Sequence, residues 1–453
     1  MIPTRRTLAI ALALSLAALA GAFFAPIRTA TFAVDVVFVI ALIVDRARTP
    51  RPDRLNVARR APPRSGLSQD LERVVRIAAP ADPSHVGLAL EVREEFPASF
   101  EVLGRTLDDD PTGGPDRCRL PAQGHVDLVR IYRPHERGVH ALGDLRLRVT
   151  SPWGLLQRQS RLHGATRIEI EPALLALKRT LRLAASERWR DLGVRLHRRR
   201  GGLVEFESLR DYVHGDDPRL LDWKSFAKRA RPIVREFREE RGQELVLAFD
   251  CGRRMAATTA EGEARGWTKL DHALDAGLQI AAVALQRGDR VGCLAFDSRV
   301  RAWLPPARGS ARGKGQFERI RDTLFALEAS DKESDLDRAM RELALLHRRR
   351  ALVLILSDVA DPMSVDRQRR ALAAASSRHK ILFAGLDDPS IRAAAEGRIE
   401  VDAAVRAASF ALMDERRESM RQLHGTGVRV LDTLPAEAAA PLLTAWLEAR
   451  RGL

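Results

Sequence analysis

Continuous apolar runs alternate with amphipathic segments through the C-terminal half of this chain. That alternation restricts the fold more than any other feature. Residues 245–250, 290–296, 351–358, 381–385 and 428–431 each read as a strand buried on both faces. Amphipathic stretches near 268–287, 335–348, 364–378 and 409–424 separate them, and a last helix is expected from about Pro435 to Arg450. Strands without polar alternation, linked by helices, require a parallel sheet covered on both sides. Residues 242–453 are therefore expected to form a doubly wound, Rossmann-like α/β domain.

The preceding segment has another period. Residues 86–92, 125–131 and 145–149 alternate apolar with polar side chains, and turn-forming residues punctuate them at 111–115 and 134–138. Short half-buried strands with frequent turns predict a small antiparallel β-sandwich over 71–172. Residues 46–70, rich in proline and arginine, read as a basic linker. Residues 173–241 read as a basic helix followed by a distinctive segment.

At the N-terminus, residues 8–27 form an uncharged apolar run, and 29–44 form a second one interrupted by Asp35. A turn is expected at 25–28, between the runs. Arg5 and Arg6 precede the pair, and Arg46, Arg48, Arg51, Arg54, Arg59, Arg60 and Arg64 follow it. The positive-inside rule then predicts a transmembrane helical hairpin over 1–45 with both ends in the cytoplasm. A cleaved signal peptide is the rival, since Arg5-Arg6 resembles a twin-arginine start; the second apolar run with its arginines argues against it.

Charge narrows the partners. The 453 residues hold 75 Lys+Arg against 60 Asp+Glu, a formal net charge of +15. Residues 1–64 carry 10 basic and 3 acidic side chains, and residues 182–200 carry 7 and 2. Most of the excess therefore lies in two short stretches. Nucleic-acid binding through the 182–200 arginines is one reading of them; a solvated helix face or a surface near anionic lipid heads is the other. Three cysteines (Cys118, Cys251, Cys293) make no disulfide framework and no CxxC, which fits a reducing compartment. The histidines show no metal-ligand spacing, and no GxSxG occurs. The stretch 309–314 has phosphate-loop glycines at the wrong spacing, with Gly315 where a hydroxyl residue belongs.

In an open parallel sheet, ligands bind beyond the carboxyl ends of the strands. Two strands end there in carboxylates, Asp250 and Asp358, and Ser334-Asp335 lies just before a helix. Oxygen ligands converging at that edge would suit Mg²⁺. The arrangement resembles the metal-ion-dependent adhesion site of von Willebrand factor A domains. That family uses Asp-x-Ser-x-Ser after its first strand, a later Thr, and an Asp after its fourth strand. Here Asp250 matches the first Asp and Asp358 the last, Ser334 or Asp335 falls where the Thr is expected, and Gly252 and Arg254 replace the serines. Gly252 brings no oxygen and Arg254 brings a permanent cation. The expectation is a degenerate site in which Arg254 pairs with Asp250 or Asp358. No cofactor is expected; Mg²⁺ is the one candidate, with Asp250 and Asp358 its ligands if it binds.

The segment before the α/β domain carries a second resemblance. Its elements are Glu205, Phe206, Arg210, Tyr212, Gly215, Asp216, Asp217, Arg219, Asp222, Trp223, Lys224, Arg229, Glu236 and Arg241. Upstream stand Arg137-Gly138 and Ser151 to Leu155, with Trp153 at the centre. Together these resemble the bacterial domain-of-unknown-function 58 family, membrane-anchored proteins with a von Willebrand A-like domain. The resemblance implies a scaffold or adaptor in the bacterial inner membrane, with cytoplasmic domains, that binds protein partners beside a MoxR-type AAA+ ATPase in assembly or stress-related complexes. From the residues themselves, 205–241 holds 9 basic and 9 acidic side chains with five aromatics. Such balance suits a salt-bridged brace against the first α/β strand, or a partner-docking face, better than a nucleic-acid clamp. A non-enzymatic role is expected. The rival from another class is a Mg²⁺-dependent phosphohydrolase using Asp250 and Asp358.

Overall fold

A computed structural model describes residues 1–21, 25–52, 55–78, 86–105, 115–164, 166–172, 177–185, 204–212, 221–229, 231–239, 242–258, 266–307, 314–358, 362–424 and 427–450. The chain divides into two compact units, Met1–Glu171 and Pro172–Leu453.

The first unit begins with β1 (Ile2–Pro3), α1 (Arg5–Gly21) and α2 (Ala25–Arg48). Then come β2 (Val57–Arg60), β3 (Arg64–Gly66), β4 (Leu71–Ala78), β5 (Ala89–Glu94), β6 (Phe100–Arg105) and β7 (Asp116–Arg119). β8 (His125–Pro134), β9 (Gly138–Leu142), β10 (Leu145–Thr150), β11 (Leu156–Leu162) and β12 (Thr166–Glu171) complete it. A five-stranded sheet, β1-β11-β10-β5-β7, and a four-stranded sheet, β2-β4-β8-β6, supply the two sides of one core. A third sheet, β3-β12-β9, adds three strands. Val75 and Ile77 of β4 and Leu128 of β8 bury against Leu90 and Val92 of β5 and Leu147 and Val149 of β10. The alternating residues of each strand account for this, one face apolar and the other wet. Ion pairs also cross the sandwich. Buried Arg73 reaches Glu94 at 2.8 Å and Asp116 at 3.2 Å, while Arg130 reaches Asp116 at 2.6 Å.

Three expectations for this unit change. Residues 57–60 and 64–66 are not linker: both pair into sheets, because alternating side chains let even an arginine-rich strand bury one face. The turn between the helices is not at 25–28. Residues 25–28 open α2, where Pro26 is tolerated in a first turn. Finally, α1 and α2 pack on one another, but among the described residues no helix is long and apolar enough to cross a membrane. The 17 residues of α1 span about 25 Å. The 24 residues of α2 carry Arg28, Asp35, Asp45, Arg46 and Arg48.

Both helices are fastened to the sandwich at their feet. The Thr4 hydroxyl donates to the Gly154 carbonyl at 2.7 Å, and Thr7 donates to Leu155 O. From α2, the buried Asp45 carboxylate accepts the Trp153 N–H at 3.1 Å. The Arg48 guanidinium lies over the Trp153 ring, 5.6 Å from its centroid. The turn from Ser151 to Leu155 therefore grips both helices.

The second unit contains α3 (Leu177–Ala185), β13 (Val204–Asp211), α4 (Trp223–Arg229), β14 (Ile233–Glu239), β15 (Glu244–Asp250), α5 (Lys269–Gln286), β16 (Arg290–Phe296) and β17 (Val300–Leu304). It continues with α6 (Lys314–Phe325), α7 (Leu336–Leu346), β18 (Leu352–Ser357), α8 (Pro362–Ser376), β19 (Lys380–Leu386), α9 (Pro389–Ala395), α10 (Ala403–His424), β20 (Arg429–Thr433) and α11 (Ala439–Arg450). Its six-stranded sheet runs β17-β16-β15-β18-β19-β20, parallel except for β17 at one edge. This is the doubly wound arrangement expected from the alternation.

Every residue of β15 is buried, and its two sets of side chains feed two cores. Leu245, Leu247 and Phe249 pack with α5 and α11; Val246 and Ala248 pack with α7 and the inner residues of α10. A Cβ at Gly277 would strike the Phe249 ring, so glycine sets how closely α5 approaches the sheet. The sequence pattern did not predict β17, α6 or α9. It placed the start of α10 near 409 rather than at Ala403, and took as one helix what is a 3-10 turn at Pro435–Glu437 followed by α11.

Candidate functional site

The order of the sheet reverses between β15 and β18: the chain moves from β15 out to β16, and later returns to β18 on the other side. The crevice beyond the carboxyl ends at that point is where this architecture places ligands. Phe249 pairs with Leu356, so Asp250 and Ser357 end their strands side by side.

Asp250 is buried and fully engaged. Ser357 donates to its Oδ2 at 2.5 Å, Ser334 donates to its Oδ1, and the Gly252 N–H donates to Oδ1 at 2.8 Å. Burial pushes its carboxyl above the ordinary carboxylate range, Asp358 adds to that, and the three donors oppose it. Gly252 is required by this packing: a Cβ there would collide with the Ser334 hydroxyl. Ser334 thus stands in the space that a side chain at 252 would occupy. Asp335 has another job, capping α7 by accepting the Arg338 N–H at 3.0 Å.

The expected pairing of Arg254 with Asp250 or Asp358 is not present. Arg254 is exposed on a 3-10 turn, Arg253–Ala256, which carries its side chain outward. Asp358 is neutralised instead by Lys269 Nζ at 2.9 Å and by Arg416 at 2.6 Å. Lys269 also reaches Asp388 at 3.1 Å, and Arg416 reaches Asp432 at 2.8 Å and Asp387 at 3.3 Å. Arg392 closes the array on Asp387 at 2.5 Å. Burial acts against the Arg416 charge, but Asp358, Asp432 and Asp387 outweigh it and raise its pKa. Lys269 sits at the start of α5, where the helix dipole disfavours a cation, so its two carboxylates are what keep it buried.

Divalent metal does not fit this donor set. Both oxygens of Asp250 accept serine hydroxyls, both oxygens of Asp358 face cations, and position 252 offers no oxygen. Among the described residues, no group of three or more His, Cys, Asp or Glu is arranged to hold a metal ion.

Sequence reasoning missed Lys269, Asp387, Asp388, Arg392, Arg416 and Asp432. One signal was available: each of the five parallel strands carries an aspartate at or next to its carboxyl end, namely Asp250, Asp297, Asp358, Asp387 and Asp432.

The signature residues form a separate element. β13 and β14 pair as a two-stranded antiparallel sheet, with Phe206 opposite Phe237. Asp222 caps α4 between them, accepting the Lys224 N–H at 3.2 Å and the Ser225 hydroxyl at 3.0 Å. Ile233 and Val234 are buried, whereas Trp223 is 66% exposed and meets Phe226, 39% exposed, edge to face at 6.0 Å. Tyr212 donates its N–H to Pro232 O, and Arg210 donates to Asp211 O. Glu205, Arg229 and Glu236 lie within β13, α4 and β14, respectively. Gly215, Asp216, Asp217, Arg219 and Arg241 lie outside the described residues, as does most of the 182–200 arginine stretch.

Residues 208–430 match the family described as "Protein of unknown function DUF58". Uncharacterized proteins of Mycobacterium bovis and Mycobacterium tuberculosis are each 30% identical over 225 residues, covering 48% of this chain and 67% of theirs. Among solved structures, the conserved hypothetical protein BatB from Bacteroides thetaiotaomicron aligns over 46% of this chain and 98% of its own, at 13% identity and a TM-score of 0.29. A von Willebrand factor type A protein from Catenulispora acidiphila aligns over 42% and 45%, at 13% identity and a TM-score of 0.24. The signature around Asp222-Trp223-Lys224, the matched region and the mycobacterial relatives agree: this chain belongs to the DUF58 family.

Proposed function

We propose that this protein is a non-enzymatic, membrane-anchored adaptor that docks protein partners on its α/β unit. The observation that carries this reading is the Trp223–Phe226 pair, two large aromatic side chains held in water on a capped helix. Exposed aromatics in a segment of balanced charge match the composition of an interaction hot spot. They favour docking over the brace. The closed carboxyl edge supports the same reading, because a hydrolase needs a free carboxylate or metal there, and Asp250 and Asp358 are both engaged.

Anchoring is supported by the helix pair. Leu8, Leu12, Leu16 and Leu19 of α1 and Phe32, Val37, Ile40 and Ile43 of α2 are all exposed, an apolar surface too large for a helix pair left in water. We place the hairpin in the bacterial inner membrane from its cytoplasmic face, both feet at one surface and the two units in the cytoplasm. The family resemblance suggests a MoxR-type AAA+ ATPase as partner.

The test is affinity capture of the full chain from bacterial membranes, followed by reconstitution with the purified ATPase. Wild type should bind it, and Trp223→Ala with Phe226→Ala should weaken binding at least tenfold, as loss of about 2 kcal/mol per hot-spot residue implies. Binding unaffected by both substitutions would remove this face from the account.

A further inference from the structure

The grip that Ser151 to Leu155 exerts on the helix feet creates a cavity of about 560 Å³ beside the start of α1. Arg5, Arg6 and Arg119 all line it, together with Ser151, Trp153 and Gln157, and no carboxylate does. Among the described residues none of these three guanidiniums has an ion-pair partner. Elsewhere in the unit Arg59, Arg73, Arg76, Arg130 and Arg161 each pair with a carboxylate. Gly154 sits beneath Arg6: a Cβ there would lie 3.3 Å from the guanidinium, and its φ of +71° is one that glycine adopts without strain. Three unpaired cations converging on one concavity are complementary to an anion with several oxygens.

Position decides which anion. The cavity lies at the foot of α1, and the exposed apolar side chains of that helix begin at Leu8, within one turn of Arg5 and Arg6. Trp153, 46% exposed, stands at the same level with Arg48 over its ring. An aromatic ring and arginines under an apolar helix surface are arranged as at a membrane–water interface. We propose that this cavity is a binding site for the phosphate of an anionic glycerophospholipid, with Arg5, Arg6 and Arg119 on the phosphate oxygens and the acyl chains along α1. The proposal rests on the membrane-anchored reading above and adds to it a specific headgroup site.

Flotation of the purified full chain on vesicles separates the two claims. Phosphatidylcholine vesicles report the hairpin alone, and vesicles containing phosphatidylglycerol report the site. Wild type should float with both and prefer phosphatidylglycerol. Arg5→Gln, Arg6→Gln and Arg119→Gln together should abolish that preference, an attraction of about fivefold per arginine, and leave phosphatidylcholine binding intact. A charge-matched control, Arg93→Gln, Arg161→Gln and Arg167→Gln, should keep it. Equal loss in the control, or no preference in wild type, overturns the site while the hairpin stands. If wild type floats with neither, the anchor reading fails. Calorimetric titration with glycerol phosphate then decides the site alone, binding lost in the triple variant supporting it and no binding overturning it. Inorganic phosphate that binds as tightly as the anionic vesicles would overturn the lipid assignment.

Discussion

Lys269 Nζ stands 2.9 Å from Asp358 Oδ2, and both side chains are at least nine-tenths buried. An internal ammonium ion therefore supplies charge that a bound cation would otherwise bring to this carboxylate. Removing one partner of a buried pair costs about 3–5 kcal/mol. Arg416 still faces Asp358, so Lys269→Met should lie near the lower end, about 3 kcal/mol by denaturant unfolding. Adding Asp358→Asn should recover part of that loss. Strictly additive losses would mean the pair is not coupled.

Gly252 and Ser334 compete for one space. Gly252→Ala should displace the Ser334 hydroxyl and cost about 2 kcal/mol. In a Ser334→Gly background the same change should cost less, since the nearest obstacle is gone, although Lys332 O at 3.0 Å and Asp250 Oδ1 at 3.2 Å remain. Equal costs in both backgrounds would show that the Ser334 hydroxyl is not what excludes a side chain at position 252.

A second cavity, of about 260 Å³, is lined by His272 and Asp275 of α5 with Arg179, Thr180 and Gln279, and its titration has opposing parts. Burial raises Asp275 to about 7 and lowers His272 to about 4. The folded state then holds its Asp275 proton more tightly than the unfolded chain, so this group makes stability fall as pH rises from about 4 to 7. His272 is held neutral, so the unfolded chain binds more protons between about 4 and 6.5, and stability rises with pH there. The two slopes oppose each other. Relative to wild type, Asp275→Asn should steepen the rise of stability with pH over that window, and His272→Gln should turn it towards a fall. Parallel curves for all three proteins would contradict both assignments.

At the helix feet, Asp45 is buried and holds the Trp153 N–H. Asp45→Ala leaves that donor without its acceptor and should cost about 1–3 kcal/mol. Amide hydrogen exchange at Trp153 should speed up accordingly. Unchanged exchange would mean that the Asp45 carboxylate does not hold the Trp153 N–H.

The strands of the α/β unit were legible because burial on both faces leaves a continuous apolar run. β17 was not, since this antiparallel edge strand is only partly buried and its pattern is mixed. The carboxylates of the site could be read from their places at strand ends. Their cations could not: Lys269 and Arg416 lie 89 and 58 positions from Asp358, on helices brought in only by packing. Arg254 looked like the natural partner because it is close to Asp250 in the chain, but the 3-10 turn aims it at solvent. The Trp153 turn was legible as a family motif, and its grip on two helices emerges only once residues 4–7 and 45–48 return to it.

The carboxyl edge of the sheet is neutralised from within. Thermal unfolding of the full chain in EDTA and in millimolar Mg²⁺ tests this directly, because any ligand that binds only the folded state raises the midpoint. The account predicts coincident curves. A Mg²⁺-dependent rise that disappears in Asp250→Ala would contradict it.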